Sequence, residues 1–558
     1  MDQSTGSVIP LSVSLGRLHQ RNRNLKEAPV NRRVFYLSLQ AILNAVCIGF
    51  IAKGLVYLIN GITNLSFYGK FSLASSSPAG NNLGWAVIFI PIAGSFLVGL
   101  MARFGSRSIT GHGIPEAMEK IIIDDSRIPP AITFLKPLSA AISIGTGGPF
   151  GAEGPIIATG GAFGSLTGQL MHISSAERKI ILAAGACSGM AAIFGSPLAA
   201  VMLAIELLLF EFSPRSIIPV AIGCITGAGM HILLFGSQPV FAMPAIAPVV
   251  GTSLLIYIFF GLVTGVIASG ISRSVYAIED LFERLPIHWM WFPAMGAVAI
   301  GVTGYFAPET MGVGYDNIRN LLQGPLPMTM LFSLCLLKYI SWSVSLGSGT
   351  SGGTLAPLFT IGGALGALFG TFVLYFFPEA PVSIPMAALV GMAAMFAGAS
   401  RAVLTSILFA LETTGQANAL LPLLGSCIAA YFVSFFLMEG SIMTEKIKRR
   451  GISAPDGYQP DILQSISVAN FLKKANGSDM RLPHIYKTDD LGFAAEMMGK
   501  YNTDELLVLE SPENQVVSGI ITGDAILKYY SEQKQKDHIY QSPGQTKRIM
   551  VRGRNLFK

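Results

Sequence analysis

Glu153 is the residue around which chemistry can be built. It lies in the run Gly145-Thr-Gly-Gly-Pro-Phe-Gly-Ala-Glu-Gly-Pro155, a lone carboxylate among glycines and prolines, with strongly apolar chain on either side. Glycine lets backbone N–H groups come close to a ligand, and Pro155 suits the first turn of a helix. A helix opening here aims its unpaired N–H groups and the positive end of its dipole into the loop. The result is an anion site with a tethered anion, the Glu153 carboxylate, beside it. The simpler alternative is a glutamate that caps the helix start and does nothing more.

The elements that must position Glu153 are written twice in the chain. Residues Gly145–Gly168 match Gly347–Gly370 without a gap, a shift of 202 positions that superposes Gly145, Gly147, Gly151, Pro155, Gly160, Gly161, Ala162, Gly164, Leu166 and Gly168 on identical residues. The same shift pairs Gly189-Met-Ala-Ala-Ile-Phe194 with Gly391-Met-Ala-Ala-Met-Phe396, and Leu203-Ala-Ile-Glu206 falls near Phe409-Ala-Leu-Glu412 after four inserted residues. Paired halves with glycine-interrupted segments at matching places predict a site between them near the bilayer midplane. In the second copy Leu355 stands where the first has Glu153. One half therefore carries the ionisable group while both shape the path.

Of the 558 residues, 51% are hydrophobic and only 13% charged. Soluble domains carry about a quarter charged residues, so the chain reads as an integral membrane protein. Arg17, Arg21, Arg23, Lys26, Arg32 and Arg33 precede the first apolar run, and Lys446, Lys448, Arg449 and Arg450 follow the last. By the positive-inside rule both termini face the cytoplasm, and basic clusters beside membrane segments argue against nucleic acid as a partner. Residues 1–33 lack the apolar core of a cleavable signal. Cys47, Cys187, Cys224, Cys335 and Cys427 lie within apolar segments without metal-ligand spacing and read as packing residues. No nucleophile–base pair and no metal cluster is evident, so neither an enzyme nor a resident cofactor is expected.

Three divisions follow: a basic N-terminus, 1–33; a membrane domain, 34–450, in halves of about 34–235 and 250–440; and a polar C-terminal unit, 451–558. Apolar stretches at about Val34–Asn60 and Leu83–Met101 can cross a bilayer, but Ile128–Ile144 and Ile156–Met171 are short and Ile180–Phe210 is interrupted by Gly and Pro. Broken, tilted helices buried in protein are the expectation, because backbone exposed to lipid would go unpaired. The loops 236–250 and 378–383 hold no Lys or Arg, which suits the outer face. Past residue 451, a helix at Leu491–Lys500, strands at Tyr501–Glu510 and Val516–Thr522, and a helix at Asp524–Glu532 predict a small α/β unit. A basic tail, about Gln533–Lys558, is expected to be disordered or docked.

At these residues the chain resembles the CLC family of chloride channels and chloride/proton antiporters. Gly111-His-Gly-Ile-Pro115 is similar to the family's first anion-binding loop, Gly-Ser-Gly-Ile-Pro. Gly151-Ala-Glu-Gly-Pro155 is similar to the second, which has Arg or Lys before the Glu, and Gly353-Thr-Leu-Ala-Pro357 to the third, Gly-x-Phe-x-Pro. The resemblance implies an all-α polytopic membrane protein of two inverted halves, one anion pathway per protomer, and a homodimer in the plasma (inner) membrane. It makes Glu153 the gate and places Gly111, His112, Gly113, Ile114, Pro115, Gly151, Gly154, Thr354, Leu355 and Ala356 around the anion. It also implies that Lys136 adds positive potential near the path; the alternative is a snorkelling lysine.

Four departures bear on function. His112 replaces the serine that would donate to the central anion; its imidazole can still donate, which predicts pH-sensitive anion binding, or else it packs aside as a neutral ring. Leu355 removes an aromatic ring from the third loop. Met443, in Ser441-Ile-Met-Thr-Glu-Lys-Ile447, stands where the family has a tyrosine. Leu207 follows Glu206 where many antiporters carry a second, proton-handling glutamate, and leucine carries no proton; Glu206, echoed by Glu412, reads as structural. Leu207, Leu355 and Met443 favour channel-like or loosely proton-coupled chloride flux. The alternative is stoichiometric chloride/proton exchange by a non-standard internal route such as Glu211 or water. An organic-solute carrier is a remote third reading, since the glycine cradles are small. The C-terminal unit, through Gly519-Ile-Ile-Thr-Gly-Asp-Ala-Ile526, resembles a single CBS motif; Thr522 and Asp524 stand where such motifs can contact an adenine nucleotide, and a structural or trafficking role is the alternative.

Overall fold

The computed structural model describes residues 28–122, 126–171, 173–249, 251–449, 463, 466–473, 482–511, 514 and 516–541. The basic residues at 17, 21, 23 and 26, Arg450, the expected boundary near 451 and the tail beyond 541 lie outside the described residues. Two compact units, 1–455 and 456–558, make up the chain.

The first unit is built of helices. Its first half runs α1 (Ala28–Tyr68), α2 (Phe89–Phe104), α3 (Ile114–Ile122), α4 (Ile132–Gly145), α5 (Glu153–Leu170), α6 (Ser175–Phe194), α7 (Pro197–Leu203, prolonged as a π-turn to Leu209) and α8 (Pro214–Phe235). The second half runs α9 (Thr252–Glu283), α10 (Phe292–Phe306), α11 (Tyr315–Gln323), α12 (Met328–Phe332), α13 (Lys338–Gly347), α14 (Leu355–Phe376), α15 (Ile384–Ser400), α16 (Val403–Thr414), α17 (Leu420–Leu437) and α18 (Glu445–Arg449), with a π-turn joining α12 to α13. Seven helical stretches among the described residues are long and apolar enough to cross a membrane, while Ile132–Gly145, Pro197–Leu209, Ile384–Ser400 and Val403–Thr414 are apolar but shorter. At 1.5 Å per residue such pieces fall short of a hydrocarbon core of about 30 Å, and they pack against neighbouring helices inside the protein.

Local signals explain where the breaks fall. The expected run Ile180–Phe210 is two helices, because Gly195 ends α6 in the left-handed region at φ 62° and Pro197 opens α7 at its first position. Ser174 and Glu177 start α6 with a reciprocal capping box, several residues ahead of the apolar run. The first span is also longer than expected, reaching from Ala28 to Tyr68.

Reciprocal capping makes the inversion of the halves visible. Near the end of the α7 segment, Glu206 accepts from the N–H groups of Leu404 and Thr405, each at 3.0 Å, and from Thr405 Oγ1 at 2.7 Å, at the start of α16. Near the end of α16, Glu412 accepts from the N–H groups of Leu198 (3.0 Å) and Ala199 (2.8 Å), at the start of α7. The two helices are therefore antiparallel, each supplying the anion that the other's N-terminus attracts. Close helix contacts repeat as well: a Cβ on Gly160 would strike the carbonyl of Gly185, and one on Gly362 that of Gly391. Small residues let these backbones touch.

In the second unit a three-stranded sheet has the order β1 (His484–Tyr486), β2 (Glu505–Leu509), β3 (Val517–Thr522); β1 and β2 are parallel, β2 and β3 antiparallel. Helices α19 (Leu491–Tyr501) and α20 (Gly523–Gln541) accompany it, around a core that includes Val468, Ile485, Leu506 and Ile521. Strand β1 is three residues long, too short for a periodic signal. Helix α20 continues to Gln541, past Gln533, about where the tail expected to be disordered or docked begins.

Candidate functional site

Three loops from the two halves are sewn together by backbone contacts. Gly352 N–H donates to Gly111 O (3.4 Å), and Gly353 N–H donates to Gly151 O (3.1 Å), so the first, second and third motifs converge. Only glycine permits this packing. A Cβ on Gly353 would lie 2.9 Å from Gly154 N, and one on Gly151 would run into the Glu153 carboxylate.

At the centre Glu153 is fully buried. Its Oε1 accepts from the N–H of Ala356, in the first turn of α14, and its Oε2 accepts from the Tyr315 hydroxyl at 3.2 Å. The carboxylate thus sits on the positive end of an opposing helix, where a free anion would be held. The cation that acts on it is Lys338. Leu355, the repeat mate of Glu153, is buried beside this seat at the start of α14, and Thr354 is the residue that precedes the helix.

Lys136 is not a snorkelling residue. It is fully buried and donates to the carbonyls of Ile109 (2.8 Å) and Gly111 (3.0 Å), fixing the first loop from behind. Lys338 repeats the device in the second half, donating to Thr310 O (3.0 Å) and Gly312 O (3.4 Å). Sequence reasoning missed Lys338, although the 202-residue shift carries Lys136 directly onto it. The turn it supports is matched too: Gly111 and Gly113 have φ 94° and 97°, and Gly312 and Gly314 have φ 68° and 79°. Gly312-Val-Gly314 is the inverted partner of Gly111-His-Gly113.

His112 is buried, and its Nδ1 has no hydrogen-bond partner. It lines a cavity of about 400 Å³ together with Glu116, Lys136, Glu279 and Lys446. Glu116 accepts from Gly113 N–H (2.6 Å) and pairs with Lys446 (3.0 Å), which ties α3 to α18. Ile114 and Pro115 open α3. Met443 is buried in the segment just before α18, whose backbone is held by Tyr276 donating to Ile442 O (2.6 Å) and Ile442 N–H donating to Ala399 O (2.9 Å); it joins the large apolar core. Leu207 is likewise buried in that core. Glu206 is engaged as the α16 cap, and Glu211 lies 3.4 Å from Lys179. In the second unit Thr522 ends β3 and accepts from Lys473 Nζ (3.2 Å), and Asp524 lies in the first turn of α20. Among the described residues no His/Cys/Asp/Glu group has the arrangement of a metal site.

Inverted halves of broken helices whose ends converge on a buried carboxylate define a membrane transport protein. The family described as voltage gated chloride channel matches residues 93–435, and the chain belongs to it. An H(+)/Cl(-) exchange transporter ClcA of Yersinia pestis bv. Antiqua is 30% identical over 370 residues, covering 64% of this chain and 76% of that protein. A ClcA of Salmonella paratyphi B is 28% identical over 388 residues, 67% and 81% of the two chains. A ClcB-like protein of Ralstonia nicotianae, named for a chloride channel, is 28% identical over 370 residues, 65% and 86%. Among solved structures, a slow cyanobacterial Cl-/H+ antiporter superposes with a TM-score of 0.65 at 24% identity, covering 74% of this chain and 98% of that one. A eukaryotic CLC transporter gives 0.60 at 20% identity, covering 88% and 98%.

Proposed function

We propose that this chain transports chloride in exchange for protons, with Glu153 as the gate both ions share. The observation that carries this reading is the seat of Glu153 on the α14 N-terminus. An ionised carboxylate there occupies the place a chloride would take, and protonation removes the charge that holds it. Alternate occupation by chloride and departure of a protonated side chain couples the two fluxes. The names of the Yersinia and Salmonella relatives support exchange over a channel. Leu207, Leu355 and Met443 favour channel-like flux, but a missing proton acceptor at one position changes the route by which protons arrive, not the chemistry at Glu153.

The test is the full chain in liposomes under a chloride gradient, with chloride efflux and external pH recorded together. Uphill proton movement is expected, and Glu153→Gln should abolish it while changing the chloride rate. Chloride efflux with no proton movement in the wild type would return the reading to a channel. His112 is proposed as a donor to chloride: burial pushes the pKa of its imidazole down to about 4, so His112→Ser should alter the pH profile of flux only below about pH 5, and an unchanged profile there would remove His112 from the site.

The same reading takes the chain as a homodimer with one pathway per subunit, in the plasma membrane with both termini cytoplasmic. For the second unit it takes pairing across the dimer axis, with Thr522 and Asp524 toward an adenine nucleotide. A shift in thermal midpoint on adding ATP, lost in Asp524→Ala, tests that last point.

A further inference from the structure

We propose that Tyr315 is the latch of the Glu153 gate, and that the 236–249 segment is a strap that keeps the latch closed. This rests on reading Glu153 as the gate and is independent of whether protons are exchanged.

Glu153 is gripped at both oxygens, by a backbone N–H of α14 on one side and by the Tyr315 hydroxyl on the other. A hydroxyl that donates to a carboxylate favours its ionised form and its present position together. The charged and titratable groups that face Glu153 are Tyr315 from α11 and Lys338 from α13; Arg319 on α11 acts in turn on Tyr315. Lys338 is already engaged with two carbonyls, so the hydroxyl is the grip that a side-chain rotation can release.

The inverted repeat marks Tyr315 as an addition. It follows Gly312-Val-Gly314 as Ile114 follows Gly111-His-Gly113, and isoleucine has no donor. Only the half facing the gate carries a hydroxyl at this place.

The 236–249 strap holds that ring from behind. It has no Asp, Glu, Lys or Arg, yet it is fastened at several points. Arg319 Nε donates to Val240 O (2.9 Å), Phe241 N–H donates to Thr413 O (3.0 Å), and Ile246 N–H donates to Gln416 Oε1 (3.2 Å). Phe241 is fully buried, its ring 5.9 Å from Tyr315 and 6.2 Å from Phe194, which itself packs on Tyr315 at 5.7 Å. Tyr315 therefore cannot turn away from Glu153 unless Phe241 and Phe194 give way. A surface loop thereby acts on a gate buried among helices.

The test is chloride efflux from liposomes containing the full chain, followed from pH 5 to pH 8. Tyr315→Phe removes one oxygen and keeps the ring. It should raise efflux at pH 7.5 about threefold and move the pH profile about one unit toward higher pH, the scale of one hydrogen bond to an ion. Phe241→Leu, on the strap, should shift the profile in the same direction by less. The double variant should go no further than Tyr315→Phe alone, because both act through one hydroxyl. In a Glu153→Gln background Tyr315→Phe should change nothing. A wild-type pH profile in Tyr315→Phe overturns the proposal, as does loss of flux in a variant that elutes normally on gel filtration. If Glu153→Gln itself leaves flux unaltered, the gate assignment fails instead, and the two failures are told apart.

Discussion

At the scale of single residues, the pathway is organised by charges that are buried and individually satisfied. Lys136 and Lys338 each spend their ammonium on two carbonyls of a glycine turn. Each lysine therefore ties down its turn while placing a buried ammonium behind the converging loops. Replacing Lys338 by Met keeps the length of the side chain but strands two carbonyls and removes the charge acting on Glu153. Chloride binding measured by calorimetry should weaken about tenfold, and the thermal midpoint should fall, since hydrogen bonds to a charged group are worth about 1.5–3 kcal/mol. Lys136→Met should have both effects as well. Glu153 could be singled out in the sequence because a carboxylate is conspicuous among glycines. Tyr315 could not, because its partner is 162 residues away and a tyrosine opening a short helix has no distinguishing spacing.

At the scale of elements, the reciprocal caps between α7 and α16 account for two acidic residues whose type alone suggests proton carriers. Both carboxylates are committed to N–H groups at a helix start, which is where a helix attracts negative charge. Glu206→Gln and Glu412→Gln keep an acceptor and lose the charge. Each should cost about 1 kcal/mol of stability, read as a lower thermal midpoint in detergent, while the proton-to-chloride ratio in liposomes stays at the wild-type value. A changed ratio in Glu206→Gln would place it on the proton route after all. The repeat of Glu206 in Glu412 made a structural role legible beforehand. That each would cap the other's helix was not, because capping across a 200-residue separation depends on the antiparallel docking of the halves.

At the scale of the membrane unit, the halves repeat glycine turns, lysine supports and helix starts but differ in the residues those turns and starts carry. Glu153 corresponds to Leu355 in the repeat, His112 to Val313, and Ile114 to Tyr315. The proposed division of labour is that the repeated helix ends supply the anion seat and the differing residues supply the gate. Leu355→Glu tests this division. A second carboxylate at the α14 start should compete for the same N–H groups, lowering chloride efflux at neutral pH at least about tenfold, with recovery as the pH is lowered and the added group is neutralised. Efflux unchanged at every pH would mean that the repeat mate of Glu153 does not reach the path.

The membrane class, the duplication, the broken helices and the singular carboxylate at Glu153 were all determined by the sequence itself, since composition, repeated glycines and a charge isolated in apolar chain are local quantities. The small α/β unit was legible for the same reason, apart from the three-residue β1. Only the tertiary structure decided which groups grip Glu153, that Lys338 mirrors Lys136, and that a charge-free loop packs through Phe241 on the tyrosine that donates to Glu153. Those contacts join residues far apart in the chain, and their geometry exists only once the inverted halves have packed.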